Sequence, residues 1–244
     1  MARILRLPKW VMRAPQPSTP NGSGSEEART HDIERPEIGR GRVTSFHRFR
    51  EVDAIDLLRW GKHADPLLES YNMDLATRED SQRWFNMRMS WVDAQLYAVK
   101  GLKEQRVIGY IGLREINVTN RTSVLGISFD PALVGRGYGL DALQTFLRYY
   151  FECWNYASMF LDVAATNFRA QRCYERCGYQ YLSERWKPFT GSVRRAIQTQ
   201  TFIQYPEFFQ FNGRQLNQLF YDMRITREGW LERNRLPASE QPAR

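Results

Sequence analysis

The apolar positions along this chain recur with two spacings, which predict a mixture of strands and helices. Short apolar runs bounded by turn residues predict strands, and apolar residues repeated every three or four positions predict amphipathic helices. The strands are predicted at Val43–Phe49, Leu96–Val99, Val107–Leu113, Val124–Phe129, Met159–Val163, Phe208–Phe211 and Leu216–Tyr221, and the helices at Val52–Gly61, Thr77–Trp91, Leu140–Phe151 and Ala170–Cys177. This order, β-α-α-β-β-β-α-β-α-β-β, predicts a mixed α/β domain.

Three local signals define the ends of some of these elements. Thr77 followed by Asp80 resembles a capping box with Asp in place of Glu, so a helix should begin there. Gly178 stands where a glycine is expected after the last turn of a helix. Asn212 and Gly213 lie between two apolar runs, a pattern that predicts a tight β-hairpin.

Composition divides the chain into a body and two tails. Residues 14–42 are rich in Pro, Ser, Gly and Glu and lack apolar periodicity, so 1–42 is predicted to be a flexible N-terminal arm. The apolar and basic stretch 4–12 within it could contact a membrane surface or the body, or it could be a frayed terminus. The folded domain is predicted at 43–235, followed by a C-terminal tail at 236–244.

The overall composition fits a globular protein with an anionic partner. The chain has 244 residues, of which 42% are hydrophobic, enough for one sizeable core. No apolar run approaches the roughly 20 residues of a membrane span, so no transmembrane segment is expected. The start lacks a clean secretory signal. The net charge of +8 favours anionic partners, but the charges are spread along the chain, so nucleic acid is not expected as a partner.

The histidines and cysteines predict neither a metal site nor a disulfide framework. His31, His47 and His63 are isolated along the chain, and we expect them to be structural or surface residues. Cys173 and Cys177 lie four residues apart among apolar neighbours, which favours core packing. No metal is therefore expected. The odd number of cysteines, three, fits a reducing compartment, and the predicted localisation is cytoplasmic.

The segment Ile127–Gly139 has the composition of a phosphate-binding loop. A strand is predicted to end near Asp130, and three alternating glycines then lead into an amphipathic helix. Glycines permit positive φ and close approach of a ligand, while free amides at a helix N-terminus attract anions. Arg136 adds a positive charge. These features predict a bound phosphate or pyrophosphate, although the glycine spacing alone fits a tight strand-to-helix turn equally well.

A second segment, Leu161–Tyr179, makes the functional prediction more specific. Residues 127–139 resemble the pattern hydrophobic-x-hydrophobic-x-Pro-x-x-Arg/Gln-Gly-x-Gly-x-Gly, and Asn167–Tyr179 matches Asn-x-x-Ala-x-x-x-Tyr-x-x-x-Gly-aromatic. Together they resemble the two acetyl-CoA motifs of the GNAT superfamily of N-acetyltransferases. The ending 222–230 is similar to the branch that includes ribosomal-protein and small-amine acetyltransferases. The resemblance covers 43–233 and implies a GNAT-like, mostly antiparallel central sheet flanked by helices.

This resemblance implies direct transfer of an acetyl group from acetyl-CoA to a primary amine. It implies that the strand residues Ile127 and Phe129 support the pantetheine arm, that Asn167 bonds to it, and that Tyr174 protonates the leaving thiolate. It also implies that backbone amides hold the pyrophosphate, namely those of Val134, Gly135, Arg136, Gly137, Tyr138 and Gly139. From helical spacing alone, Tyr174 could instead be a core tyrosine.

The chain departs from the family pattern at several positions. Val134 replaces the usual Arg or Gln, but this position contributes mainly its backbone N–H, so binding should survive. Val124 occupies the position at which this branch often carries a glutamate. Glu115 is then the candidate general base, with a solvated strand-end charge as the alternative. An insertion predicted near 186–207 could border the amine site or form a passive surface loop.

Two functions therefore remain open at this stage. The first is an N-acetyltransferase acting on a small amine or on a peptide or protein N-terminus. The second is a degenerate GNAT domain that binds acyl-CoA as a sensor or interaction module. The amine acceptor is not identified by the sequence: an acidic cleft would favour a polycation, and a basic cleft an amine that carries a carboxylate. The resemblance also suggests a homodimer.

Overall fold

The computed structural model describes residues 37–235, and these build one large mixed sheet flanked by helices. The sheet order is β1-β2-β3-β4-β5-β6-β9-β7, with β8 paired to β9. All neighbours are antiparallel except β5 and β6, which are parallel. The strands are β1 Gly39–Arg40, β2 Thr44–Arg48, β3 Gln95–Gly101, β4 Val107–Asn117, β5 Thr122–Phe129, β6 Ser158–Ala164, β7 Gln180–Pro188, β8 Phe209–Asn212 and β9 Gln215–Thr226.

The helices include six α-helices among the described residues. They are α1 Arg78–Met89, α2 Tyr138–Arg148, α3 Phe168–Cys177, α4 Val193–Ala196, α5 Gln200–Gln204 and α6 Arg227–Arg235. The predicted helix at Val52–Gly61 is a 3-10 helix, Glu51–Arg59. The predicted helix at Leu140–Phe151 comprises α2 and a π-helical turn at Tyr149–Cys153. The predicted mixed, mostly antiparallel α/β fold is confirmed.

The capping signals read from the sequence are present. The Thr77 side chain accepts a hydrogen bond from the Asp80 amide, and the Asp80 carboxylate accepts one from the Thr77 amide at 2.8 Å. Gly178 ends α3 with a left-handed φ of 100°. The predicted hairpin joins β8 to β9, with Asn212 as the last residue of β8, paired with Gln215, and Gly213 and Arg214 as the turn. The chemistry of short turns thus fixed these boundaries correctly.

The central core lies between α2, α3 and the sheet. Leu143, Phe146 and Leu147 of α2 are fully buried, as predicted from their helical spacing. Tyr150 of the π-helical turn is also fully buried, and its hydroxyl is 2.8 Å from that of Ser123 on β5. This packing fixes α2, and therefore the loop that precedes it, against the sheet.

Strands β5 and β6 pair over only a short length and then diverge. Their pairs are Thr122 with Ser158, Ser123 with Met159, and Val124 with Phe160. Beyond them, β5 remains paired with β4 on its other side as far as Phe129. The β6-facing side of β5 therefore has no strand partner among the described residues from 125 onward. Parallel strands that separate in this way leave a cleft in the middle of the sheet.

Two expectations about segment boundaries need correction. Strand β1 at Gly39–Arg40 pairs with β2, so the sheet begins before the predicted domain start at 43. Strand β7 was not predicted, and it extends to Pro188, inside the segment 186–207 read as an insertion. The remainder of the predicted arm, His31, the stretch 4–12 and the tail 236–244 lie outside the described residues.

The rest of the segment 186–207 packs on the body through its own small core. It contains α4 and α5, followed by a 3-10 turn at Pro206–Phe208. Phe189 and Ala196 of this segment are buried together with Leu67, Phe209 and Leu216. The segment is thus a packed element, and Thr190 within it lines the central cleft.

Candidate active site

The loop between β5 and α2 presents free amides over open space. Gly135 and Gly137 have φ of 83° and 87°, and a Cβ built on either would meet no heavy atom within 4 Å. Gly137 is the N-cap of α2. The amides from Val134 to Gly139 donate to no acceptor within the described part of the chain. Exposed amides at a helix N-terminus form a site for an anionic group.

Asp130 fixes the shape of this loop from beneath. Its side chain is fully buried and pairs with Arg106 at 2.6 Å. One of its carboxylate oxygens accepts hydrogen bonds from the amides of Gly61, at 2.9 Å, and Ala132, at 3.0 Å. Removing one partner of such a buried charged pair is strongly destabilising. The sequence reading identified Asp130 only as the end of a strand and missed this role.

Asn167 has one role that the sequence did not predict. It is the N-cap of α3, and its side-chain oxygen accepts a hydrogen bond from the Ala170 amide at 3.2 Å. The side-chain amide nitrogen has no partner within residues 37–235. Because the residue also lines the central cleft, this nitrogen can donate to a ligand while the oxygen holds the helix.

Tyr174 lies about two turns of α3 beyond Asn167, on the same face of the helix, and borders the same cleft. Its side chain is 9% exposed, and its ring packs against Tyr179 with a centroid separation of 5.7 Å. Burial raises the pKa of Tyr174 far above its usual value, and the nearby Cys173 raises it further. The phenol therefore keeps its proton at any physiological pH. No described residue accepts this proton in a hydrogen bond.

These features meet in one cleft of about 1130 Å³. Its lining includes residues of β4, β5, β6, α1, α3 and the loop before α2. Of the residues predicted for the site, those in the lining are Ile127, Phe129, Val134, Gly135, Gly137, Tyr138, Gly139, Asn167 and Tyr174. The structure thus brings the two sequence motifs together around the gap between β5 and β6.

Comparison with known proteins identifies the family of this chain. The model of an acetyltransferase (GNAT) domain matches residues 44–180. The chain belongs to the GNAT family. A spermidine N(1)-acetyltransferase from Vibrio cholerae is 32% identical over 76 residues, which are 31% of this chain and 44% of that protein. The match thus spans less than half of the length of this curated relative.

Solved structures of GNAT enzymes share the fold. The spermidine N-acetyltransferase from Vibrio cholerae in complex with CoA and spermine has a TM-score of 0.56 at 18% identity, covering 77% of this chain and 98% of that chain. A chimera of the Vibrio cholerae enzyme and hSSAT has a TM-score of 0.56 at 20% identity, covering 78% and 99%. At these identities the likeness concerns the fold.

The side chains of two residues predicted for the GNAT site, Glu115 and Arg136, are outside the cleft lining. Glu115 occupies an irregularity of β4, has a φ of 53° and is paired with Arg114 at 2.5 Å. Its side chain is 66% exposed, and it is not among the residues that line the cleft. The side chain of Arg136 is also exposed and outside the lining. The Arg136 amide still belongs to the run of free amides from Val134 to Gly139.

The floor of the GNAT cleft carries two residues without side chains. Gly112 on β4 and Gly126 on β5 form a cross-strand pair, and both line the cleft. A Cβ built on Gly126 would meet only the Gly112 carbonyl oxygen, at 3.9 Å. The space above these strands is therefore open because the sequence supplies no side chain to fill it.

A network of charges crosses the sheet at the cleft. Asp162 on β6 accepts ion pairs from Arg114 at 2.9 Å, Arg185 at 3.3 Å and Lys187 at 2.7 Å. Burial by itself would raise the pKa of Asp162, but the hydrogen bond from Lys187 and the surrounding cations outweigh this and lower it. Asp162 is therefore ionised, and its charge is already neutralised by the protein.

His63, expected from its isolated position to be a surface or structural residue, lines the cleft. Its backbone amide donates to the Asn72 side chain at 2.6 Å, which fixes the segment before α1. Burial lowers the pKa of His63, the positive charge of Arg169 lowers it further, and Asp65 opposes these effects. The imidazole is thus neutral near pH 7 and can accept a proton. No sequence spacing pointed to it, because its partners come from distant segments.

The described residues 37–235 contain no group of three or more His, Cys, Asp or Glu side chains placed to hold a metal ion. Over the same range, no helix combines the length and apolar character needed to cross a membrane.

Proposed function

We propose that this GNAT protein transfers an acetyl group from acetyl-CoA to a primary amine. The observation that carries the proposal is the convergence of three features on one cleft: the free amides of Val134–Gly139, the Asn167 side chain and the unpartnered Tyr174 hydroxyl. These residues belong to two motifs separated along the chain. Their meeting around the gap between β5 and β6 supports a site for a long thioester substrate.

The cleft has the donors that acetyl-CoA requires. Amides at the start of α2 suit the pyrophosphate, since helix N-termini favour negative charge. From Leu125 onward, the β6-facing backbone groups of β5 lack a strand partner in residues 37–235 and can bond to the amides of the pantetheine arm much as an added strand would. Val134 does not weaken this proposal, because it contributes a backbone N–H.

The chemistry needs only two proton movements. The neutral amine attacks the thioester carbonyl carbon, a C–N bond forms and the C–S bond breaks. The nitrogen loses one proton and the sulfur gains one, so no further reactant is needed. We assign to Tyr174 the proton that the departing sulfur gains, and its raised pKa means that it carries this proton beforehand.

We assign the acceptance of the amine proton to His63. It lines the cleft and its imidazole is neutral near pH 7, so it can take up a proton there. Glu115 does not line the cleft in this structure. The sequence-based choice of Glu115 remains open to test, and replacing each residue separately distinguishes the two.

The acceptor is proposed to be a small amine. The relatives above are named for spermidine, which contains primary amines, and this supports the same reacting group here. A degenerate domain that only binds acyl-CoA is less well supported, because such a domain has no need of a proton donor beside the thioester.

The proposal is tested by measuring thiol release from acetyl-CoA with the purified chain and a panel of primary amines. Acetyl-CoA binding by calorimetry is measured in parallel. Binding together with amine-dependent thiol release is expected. Binding without turnover on any amine would favour the sensor function, and absence of binding at millimolar acetyl-CoA would reject the proposed substrate altogether.

A further inference from the structure

The cleft of this protein is more cationic than an acceptor with several positive charges would favour. Among its lining residues, the cations are Arg88, Arg114, Arg169, Arg172, Arg176 and Lys187, and the carboxylates are Asp74 and Asp162. Asp162 is already paired with three cations. Asp74 is almost fully exposed and pairs with Lys62. Neither carboxylate is available to attract a polycation.

Part of this excess charge is explained by the thioester substrate. Arg169, Arg172 and Arg176 belong to α3, the helix that begins at Asn167, and they can balance the phosphates of CoA. Arg114 and Lys187 are held by Asp162. Arg88, on α1, is neither on the helix that begins at Asn167 nor paired with Asp162.

Arg88 is held in place by aromatic rings and not by a carboxylate. Its guanidinium carbon lies 4.7 Å from the centroid of the Trp91 ring, 5.5 Å from that of Trp84 and 6.0 Å from that of Tyr110. All three rings also line the cleft. Rings at these distances attract a cation and restrict its movement.

The hydrogen-bonding capacity of Arg88 is unused. Within residues 37–235 it forms no ion pair, and its Nε is buried without a hydrogen-bond acceptor. A buried donor without a partner costs free energy. A planar guanidinium presents a fork of donors that matches a carboxylate in two-point contact. An arginine that is positioned by aromatic rings, with a buried Nε and no ion-pair partner in residues 37–235, is therefore suited to an anionic ligand group.

We propose that the acceptor is a primary amine that also carries a carboxylate, and that Arg88 binds this carboxylate in the cleft. The inference rests on the proposed acetyl transfer and names its substrate class. It separates this protein from relatives named for spermidine, since Arg88 repels a second ammonium group where it attracts a carboxylate. The aromatic rings around Arg88 would contact the apolar part of such an acceptor.

The test uses pairs of acceptors that differ only in the carboxylate. Suitable pairs are pentylamine with norleucine, phenethylamine with phenylalanine, and 1,5-diaminopentane with lysine, with spermidine added as a polycation. Thiol release is measured for each at saturating acetyl-CoA. We expect kcat/KM to be higher for the carboxylate-bearing member of at least one pair, and lowest for spermidine.

Variants of Arg88 then assign the effect. Arg88→Gln should raise KM for the carboxylate-bearing acceptor about tenfold to hundredfold, as expected for loss of a hydrogen bond to a charged group. The same change should alter KM for the matching amine without a carboxylate by no more than about threefold, and it should leave the affinity for acetyl-CoA unchanged. Arg88→Lys, which keeps the charge without the planar fork, should recover only part of the affinity. Arg83→Gln is the matched control, because Arg83 lies on α1 with an exposed side chain outside the cleft.

The outcomes separate this inference from the proposed function. If amines are acetylated and Arg88→Gln affects both members of a pair equally, the carboxylate site is rejected while acetyl transfer stands. If no acceptor supports thiol release, the proposed function fails. In that case, tryptophan fluorescence titration with norleucine and pentylamine decides whether Arg88 binds a carboxylate at all. Preference for spermidine over every carboxylate-bearing amine overturns the inference directly.

Discussion

Gly112 and Gly126 face each other across β4 and β5, and this pair of missing side chains keeps the floor of the cleft open. A side chain at Gly126 would project into open space, since its Cβ would meet nothing closer than the Gly112 carbonyl oxygen at 3.9 Å. The pair thus favours room for a substrate over packing.

We expect Gly126→Leu to block catalysis without unfolding the protein. The added side chain would occupy the space of the reacting groups, and displacement of a substrate by about 1 Å can reduce the rate on the order of 10²-fold. The melting temperature should change little, whereas kcat/KM should fall by at least that factor. Gly109→Ala is the contrasting control: its Cβ would lie 2.6 Å from the Phe129 ring, so it should lower the melting temperature.

Removing the Tyr174 hydroxyl should affect turnover far more than binding. Tyr174→Phe keeps the ring, so the free energy of unfolding should change by about 1 kcal/mol or less. Loss of a general acid lowers kcat about 10²–10⁴-fold, with acetyl-CoA affinity nearly unchanged. Steady-state kinetics and calorimetry measure both.

The neighbouring Tyr179 provides a matched control for that experiment. Its hydroxyl is buried with no hydrogen-bond partner in the described residues, and it does not line the cleft. Tyr179→Phe should leave kcat unchanged and stability equal or higher, because it removes an unsatisfied polar group. Turnover of Tyr174→Phe within about threefold of the unmodified protein would reduce Tyr174 to a core residue.

The phosphate loop can be tested with two glycines of similar backbone conformation. Gly137 and Gly213 have φ of 87° and 59°, and both have open space around an added Cβ. Gly137→Glu should abolish acetyl-CoA binding, because a carboxylate would lie where anionic phosphates are expected. Gly213→Glu introduces comparable backbone strain in the β8–β9 hairpin, so it should lower stability with affinity retained. Equal loss of acetyl-CoA affinity in both variants would refute the proposed phosphate-binding role of the loop Val134–Gly139. Calorimetry gives the affinities.

The network around Asp53 predicts a loss of stability in acid. His47 Nε2 donates to the Asp53 carboxylate at 2.9 Å, and the Arg50 amide and guanidinium donate at 2.8 to 3.1 Å. Burial would raise the pKa of Asp53, but these bonds outweigh it and lower the pKa below 3.8. The unfolded chain thus binds this proton more readily, so the stabilisation is complete above about pH 5 and disappears as pH falls through the folded pKa.

Asp53→Asn should therefore destabilise the protein by about 2–4 kcal/mol near neutral pH, because the donors of Arg50 and His47 would lose their carboxylate acceptor. Urea unfolding from pH 7 to pH 3 should show the difference between the two proteins shrinking as pH falls. A difference that stays constant with pH would mean that packing, and not the charge, accounts for the effect.

His63 gives a prediction for the pH dependence of the reaction. A neutral amine and a neutral imidazole are both required, so log kcat/KM should rise with pH and be steepest below the pKa of His63, which is under 6.5. His63→Gln should lower kcat/KM and abolish the steeper part. Glu115→Gln should leave the pH profile unchanged. If the steeper part of the profile disappears in that variant instead, Glu115 is the base.

The elements that the sequence predicted well are those with local causes. The core face of α2, the cap at Thr77 and the hairpin at Asn212 depend on residues a few positions apart. Strand β7 was missed because it is an edge strand whose side chains are largely exposed, so no apolar alternation marks it. Its position is set by pairing with β9, which the local pattern does not contain.

The residues of the candidate site also differ in whether local sequence could predict them. The loop glycines, Asn167 and Tyr174 belong to motifs that can be read from their spacing. His63, Arg88 and Gly126 acquire their roles from neighbours that the fold brings together, and nothing in their sequence context separates them from ordinary surface or strand residues. Glu115 was chosen for its place after a strand, but an irregularity in β4 turns it outward.

The short pairing of β5 with β6 has a consequence for the lifetime of the protein. Among residues 37–235, only three residue pairs join β5 to β6 directly, so this line is a short seam in the sheet. A ligand that bonds along β5 closes that seam, and at about 100 times its dissociation constant it adds about 2.7 kcal/mol to stability. Resistance to proteolysis should then follow the supply of the ligand, so the abundance of the protein would report on how much of its own substrate is present.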